Sequence, residues 1–280
     1  MSLILLLALG LALNAAAAAV ALWRGSVDPG GAAAGTLVGA LIFACGGPLF
    51  WLVLIAFFLS STGLGHVRVR EKEWLAAIHE KGGRRDLFQV LANGGMGMLC
   101  AALFRLTGNN GWAVGFAVSF ASSNADTWAS ELGVLSKGSP VSLFTFRPVP
   151  RGVSGGVSLY GCAMSLAGAL LIALVFAAEN LSLGLFPGRF ILLAAFVSGA
   201  GFIGSLLDSL LGATLQAQYE PSPDARAAGG ALVVTERRFS ADGVPHRLAR
   251  GLAFVNNDVV NFTSCAIVTL ASVLLAPSVL

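Results

Sequence analysis

Long apolar stretches separated by short polar ones run the whole length of the chain. They fall at roughly 3–22, 31–46, 48–63, 87–105, 112–135, 153–177, 189–214 and 251–277. Most approach the roughly 20 residues that carry an α-helix across a bilayer. They lack the period-two alternation of barrel strands, and a chain in lipid must satisfy its backbone polar groups internally. The pattern predicts an all-α fold, a polytopic transmembrane helix bundle of about eight spans forming one transmembrane domain over residues 1–280. Gly46, Gly47 and Pro48 interrupt the segment 31–63. A tight hairpin of two short helices is expected there; a single bent helix would invert the first span.

Polar loops remain at about 64–86, 136–152 and 215–250. Together with Arg24 they hold 15 of the 17 lysines and arginines, leaving Arg105 and Arg189 at the opposite ends of the spans. The positive-inside bias assigns the basic loops to the cytoplasm and both termini to the outside. The expected location is a cytoplasmic or inner membrane, crossed many times. No basic residue precedes the first apolar run and Arg24 follows it, the charge order of an N-out anchor and not of a cleaved signal.

Composition agrees. Of 280 residues 56% are hydrophobic and 11% charged, against about a quarter charged in soluble domains. The net charge of +3 reflects loops that meet anionic lipid and cytosol. The basic residues lack interleaved aromatics, so nucleic acid is not an expected partner. In loop 64–86, Glu71, Trp74, Leu75 and Ile78 have the spacing of an interfacial amphipathic helix. Loop 215–250 holds a short apolar run, Ala231 to Thr235. Both loops are candidates to fold over a site.

Several chemistries are not indicated. Cys45, Cys100, Cys162 and Cys265 each lie alone in apolar runs and read as small hydrophobes. His66, His79 and His246 are scattered through loops. No phosphate-binding P-loop occurs. Gly199 to Gly204 spells G-x-G-x-x-G, but inside an apolar helix with no strand before it, so helix packing is the expectation. Pairs of glycines four apart, Gly35 and Gly39, Gly111 and Gly115, Gly152 and Gly156, are also expected to let helices approach. No serine is accompanied by a histidine at comparable depth, so a hydrolase triad is not expected.

The acidic residues are more informative. Of 14, four fall within spans: Asp126, Glu131, Asp208 and Asp258. An ionisable group there costs at least ~2.5–3.5 kcal/mol on insertion scales, which makes each a functional candidate. The topology puts them near the cytoplasmic ends of three separate helices. Asp126 and Ser130 share a helical face within SSNADTWASE. Asp208, Gly212 and Gln216 follow at steps of four, as do Arg85, Gln89 and Asn93, while Asn257 and Asn261 flank Asp258.

Carboxylates and amide oxygens are hard ligands suited to Mg²⁺, which keeps waters and bridges to substrate phosphates. Arginines at the rim suit phosphate oxygens. The expectation is phosphate chemistry at the membrane surface, with Asp126, Glu131, Asp208 and Asp258 as metal ligands. Arg84, Arg85, Gln89, Asn93, Ser123, Asn124, Arg147, Arg151, Asn257 and Asn261 are the candidates for holding substrate and phosphate. The structural alternative is that buried acids pair with arginines or bond serines and amides to fix helix register. Glu131 can also reach water from a helix end.

A faint similarity pairs Asn93-Gly94-Gly95 and Asp126 with Gly155-Gly156-Val157-Ser158 and Asp208, the order of a weak parallel repeat. QVLANGG (89–95), SNADTWASELG (123–133), GGVS and SLAGA (155–158, 165–169), GSLLDSLLGATLQ (204–216) and NNDVVNF (256–262) together carry a wider likeness. They resemble the integral membrane family that includes plant phytyl-phosphate kinase of tocopherol synthesis and human transmembrane protein nineteen. The resemblance covers the chain from about Gly30 to the last span. It implies an enzyme, an isoprenyl-phosphate kinase that moves a phosphoryl group from a nucleoside triphosphate, CTP among the candidates, to a prenyl or phytyl monophosphate. Asp126, Asp208 and Asp258 would be catalytic, and Mg²⁺ the cofactor. The implied partners are the isoprenyl monophosphate, the nucleotide and the bilayer. Arg147 stands where the family carries a lysine, which keeps charge but not shape. On residues alone two other functions stay open: a transporter or flippase of an anionic lipid or small ion, and a lipid-phosphate cytidylyltransferase. The oligomeric state is open too, a homo-oligomer included.

Overall fold

Capping side chains fix where most of the helices begin. The computed structural model describes residues 2–65, 67, 78–81, 83–220, 234–240 and 243–280. Ser2, Asp86, Asn109, Ser158 and Asn256 each stand one residue before a helix and accept a hydrogen bond from a backbone N–H of its first turn. The helices are α1 (Leu3–Trp23), α2 (Pro29–Gly65), α3 (Leu87–Thr107), α4 (Asn110–Gly133), α5 (Leu159–Leu183), α6 (Phe190–Thr214) and α7 (Asn257–Val279). Two small antiparallel ribbons lie in the connecting segments. One pairs β1 (Val141–Ser142) with β2 (Gly156–Val157), the other β3 (Gln218–Glu220) with β4 (Arg247–Arg250). The fold is an all-α polytopic bundle, in which six helices have the length and apolarity to cross a membrane.

α2 is two limbs. Gly47 takes φ 76° and ψ −174°, outside the helical region, and Pro48 follows it. The Arg85 carbonyl stands against Gly31 in the first limb, while its guanidinium lies 5.6 and 5.9 Å from the Phe57 and Phe58 rings in the second. A straight helix would hold residues 31 and 57 about 39 Å apart. The expected hairpin is therefore present, and both chain ends lie at the end of the bundle away from the long loops. Near its turn Phe50 stacks on Phe104 and Phe116, at 5.3 and 4.4 Å between centroids.

α4 is the helix the others surround. Every residue from Ala113 to Ala125 is buried, and α2, α3, α5, α6 and α7 all pack on it. Among the seven helices of the described residues it is the one too polar to count as a span by composition. Its neighbours carry the exposed apolar side chains, such as Leu41, Leu159 and Ile203, so α4 can hold polar groups out of reach of lipid. Those groups are satisfied across helices. Asn124 accepts from the Ser60 hydroxyl (3.0 Å) and donates to the Gly168 carbonyl (2.8 Å), and Ser123 donates to the Asn93 carbonyl (3.0 Å).

Missing side chains allow this enclosure. A Cβ on Gly201 would stand 2.7 Å from that of Ala121, and one on Gly204 would stand 2.1 Å from Ser122 Oγ. The G-x-G-x-x-G run is thus a packing surface. Gly39 and Gly115 serve in the same way, against Asn14 and Val273. Gly152 and Gly156 do not, because they lie in the loop before α5. That span was expected from 153, but Ser158 caps the helix and delays it to Leu159. The last span, expected from 251, starts at Asn257 behind the Asn256 cap, which puts Asp258 in its first turn and not two turns inside. α5 also runs on to Leu183, which encloses Glu179 as a further buried acid. The expected amphipathic helix near Glu71 and most of the run Ala231 to Thr235 lie outside the described residues.

The close contact of α4 with α6 makes a prediction. Gly201→Ala destabilises the detergent-solubilised protein by about 1–3 kcal/mol through overpacking. Gly199→Ala, with nothing within 4 Å of the added carbon, leaves the melting temperature unchanged or slightly raised. Thermal melts followed by circular dichroism compare the two.

Candidate functional site

Asp126 of α4 and Asp208 of α6 face one recess of about 920 Å³ near the loop end of the bundle. Ser130, one turn beyond Asp126, lines it, as do Ser205 and Ser209 beside Asp208. His79, Arg151, Glu236 and Asn257 complete its polar wall. Asp208 is fixed from α7. Its Oδ2 accepts from the Ser264 hydroxyl (2.9 Å) and, with the Asn261 amide turned to satisfy both its ends, from the Asn261 nitrogen (3.0 Å). The Asn261 oxygen in turn accepts from Asn257 Nδ2 (3.2 Å).

The loop before α5 forms another side of the recess. Gly155 has φ +83°, and a Cβ there would lie 2.5 Å from the Ala213 backbone on α6, so only glycine seats the loop this closely. Ser154 locks it by donating to Gln216 Oε1 (2.7 Å), while Gln216 Nε2 donates to Glu236 Oε1 (2.9 Å) and Arg250 donates to the Ser154 carbonyl (3.0 Å). Residues 152–156 spell the G-x-S-x-G of hydrolase elbows. They lie in a loop, however, and the Ser154 hydroxyl goes to Gln216, while His79 Nε2 meets the Gly152 carbonyl at 3.3 Å. No triad results.

The described parts of the two long loops do fold over the acids, as expected. Glu236 N and Thr235 Oγ1 both donate to the Ile78 carbonyl (2.8 and 2.9 Å), and Arg237 Nε donates to that of His79 (3.1 Å). Burial pushes the Glu236 carboxyl above its usual range, only partly offset by His79 and the Gln216 amide.

A second recess of about 760 Å³ adjoins the first, with His79, Glu236 and Asn257 on both walls. Lys81 here clips two helix starts together, pairing with Asp258 of α7 and, at 2.6 Å, with Asp86, the α3 cap. Burial alone would pull the Lys81 ammonium down, but its hydrogen bonds to the two carboxylates outweigh that and hold it above its ordinary value. For Asp86 burial pushes upward, and Lys81 with the Gln89 and Phe88 N–H groups holds the carboxyl below the usual range. Asp258 Oδ1 is buried without a hydrogen-bond partner.

Other predicted residues fall elsewhere. Glu131 lies beside the end of α2, its Oε1 3.9 Å from where a Gly65 Cβ would stand, and not on the recess wall. Five residues along a helix turn the side chain about 140° from Asp126. Ser123 and Asn124 are spent on interhelical bonds. Arg147 has an exposed side chain in the loop after β1, and Arg84 Nε lies 3.5 Å from where a Gly25 Cβ would stand. Arg85, Gln89 and Asn93 share a separate, apolar cavity.

Among the described residues no three of His, Cys, Asp and Glu converge as a metal cluster. The four expected ligands are therefore not gathered at one point: Asp258 is drawn to Lys81 and Glu131 faces another way. Asp126 and Asp208 remain, with Glu236 and Asn257 nearby. One or two carboxylates, completed by water and substrate phosphates, are what Mg²⁺ ordinarily takes. His79, Lys81 and Glu236 were not foreseen, because in loops rich in charge nothing in their spacing sets them apart.

The family model described as integral membrane protein DUF92 matches residues 12–269. The chain is 32% identical over 263 residues to Protein PGR of Arabidopsis thaliana, covering 86% of each chain. It is 30% identical over 187 residues to a membrane protein of Synechocystis sp., covering 65% of this chain and 69% of that one. With Protein VTE6, chloroplastic, of A. thaliana it shares 27% identity over 256 residues, 89% of this chain and 65% of that one. No solved structure matches.

Seating of the glycine loop is testable by protease. Gly155→Ala should unseat residues 151–158, so that trypsin cleaves after Arg151 at least about tenfold faster while the helical content by circular dichroism stays the same, as expected when strain is confined to one loop.

Proposed function

The chain belongs to the DUF92 family of integral membrane proteins, and on that footing we propose that it is a membrane-embedded isoprenyl-phosphate kinase. The donor is a nucleoside triphosphate, CTP first among the candidates, and the acceptor a prenyl or phytyl monophosphate. An oxygen of the acceptor phosphate attacks the terminal phosphorus of the donor. The bond from that phosphorus to its bridging oxygen breaks, the isoprenyl diphosphate forms and a nucleoside diphosphate leaves. The attacking group is already anionic, so positioning and charge neutralisation do most of the work and no strong base is needed.

The observation that carries this reading is the meeting of Asp126 and Asp208, from helices distant in sequence, in one recess with Asn257 and Arg151. These carboxylates would hold Mg²⁺. When bound, the ion would neutralise charge on the phosphates. Arg151, at the rim beside the glycine loop, suits a phosphate oxygen. The resemblance to phytyl-phosphate kinase supports the same chemistry at the level of the family. Depth also favours an enzyme over a transporter. Asp126 lies seven residues before the end of α4, about 10 Å from it, whereas transport sites sit near the midplane. In this reading the recess opens to the cytoplasm, the side to which 15 of 17 basic residues assign the loops.

Purified protein incubated with Mg²⁺, each of several nucleoside triphosphates and a panel of prenyl monophosphates, with products weighed by mass spectrometry, tests the proposal. Isoprenyl diphosphate and nucleoside diphosphate are expected; release of pyrophosphate would indicate nucleotidyl transfer instead. Asp126→Asn and Asp208→Asn should each lower transfer at least ~100-fold, the scale of losing one preorganised electrostatic group, while still inserting in the membrane. Full activity in both variants would remove the assignment.

A further inference from the structure

Away from the acids, a cavity of about 750 Å³ lies between α1, the two limbs of α2 and α3, sharing no wall residue with the acidic recess. Small side chains such as Ala18 and Ala32 leave it open. Gly35, also on its wall, has nothing within 4 Å of where its Cβ would stand. From Gly31 to Val38 the slot follows eight residues of α2, about 10 Å of helix. Asn14 at its wall is already engaged, accepting from the Trp51 indole (3.0 Å) and donating to the Gly10 carbonyl (2.8 Å).

Its polar edge is Arg85, Gln89 and Asn93. The Arg85 guanidinium rests on the Phe57 and Phe58 rings, and among the described residues it forms no ion pair. Burial pulls it below its ordinary pKa, with only Glu131 acting against this. A cation resting on aromatic rings with no carboxylate at ion-pair distance is costly, and a guanidinium is shaped for phosphate. Gln89 also lines the Lys81 recess, which in turn shares His79, Glu236 and Asn257 with the acidic one. The three spaces therefore form a row, apolar at one end and acidic at the other.

We propose that this slot binds the hydrocarbon chain of a single-tailed lipid monophosphate, with Arg85 on its phosphate. That this lipid is the phosphoryl acceptor rests on the kinase reading; the binding site itself does not. Apolar walls alone would take any hydrocarbon, and Arg85 alone any anion. Their adjacency selects a molecule that is both.

The test is equilibrium binding of radiolabelled dodecyl phosphate to the full-length protein in nanodiscs, without nucleotide. Saturable binding is expected, competed by neither dodecanol nor inorganic phosphate at equal concentration. Gly35→Phe, which fills the slot, and Arg85→Gln, which removes the charge, should each weaken it at least about tenfold, whereas Arg85→Lys restores part and Gly199→Ala, remote from both recesses, stays within about twofold. Melting temperatures identify any variant that fails to fold, in which case Gly35→Leu replaces Gly35→Phe. Unchanged binding in folded Gly35 and Arg85 variants overturns the proposal, and so does equal competition by two-chain phosphatidic acid, which would mark a structural lipid. Failure of the two readings is distinguishable. If the slot variants lose binding but no nucleotide supports transfer, the kinase reading falls and the slot stands. If transfer occurs and folded Gly35→Phe leaves both dodecyl phosphate binding and the acceptor KM unchanged, the slot falls and the kinase stands.

Discussion

A carboxylate inside a membrane protein must obtain from its neighbours what water would otherwise give it, and the enclosure of α4 meets that demand. Five helices surround it, so Ser119, Ser122, Ser123 and Asn124 are buried among protein groups, and Asp126 faces a recess. Enclosure requires short distances between axes, which explains why Gly97, Gly115, Gly201 and Gly204 stand where a Cβ would meet Phe120, Val273, Ala121 or Ser122. A polar centre and glycine-lined flanks are thus one arrangement seen from two sides.

Where carboxylates crowd toward the loop end, the loops supply restraint. Lys81 clips the starts of α3 and α7, and Ser154, Gln216 and Glu236 form a relay of hydrogen bonds from the glycine loop to the segment after β3. Apart from the local Lys81–Asp86 pair, these links join residues 20 to 177 apart in sequence, so the recess walls are held mainly by tertiary contacts. Such partly buried charged links contribute modestly to stability but strongly to which arrangement is adopted.

The helices were legible because lipid demands long apolar runs, and the α2 break was legible because Gly47 and Pro48 are residues that interrupt a helix. Boundaries were not. The loop at 153–157 is apolar enough to pass for a span, and only the Ser158 and Asn256 caps, weak signals among many serines and asparagines, mark the true starts. Asp126 and Asp208 stand out as ionisable groups inside apolar runs, and Ser130 through the helical face it shares with Asp126. Glu131 was misplaced because neighbourhood along a helix is not neighbourhood around it, and Asp258 because its partner, Lys81, comes from a loop 177 residues away. Arg85, Gln89 and Asn93 do share a face as their spacing indicated, but that face borders the apolar cavity, and of the three Gln89 alone also reaches the Lys81 recess.

The reversal at Gly47 has a consequence for energetics. With the chain folded back there, an even number of traverses leaves the far face with only short turns, such as the one between α3 and α4. Asp126, Asp208, Glu236 and the Lys81–Asp258 pair all lie toward the other end of the bundle, where the long loops are. In the proposed phosphoryl transfer no ion would pass through the hydrocarbon layer, so the electrical potential across the bilayer would do no work on it.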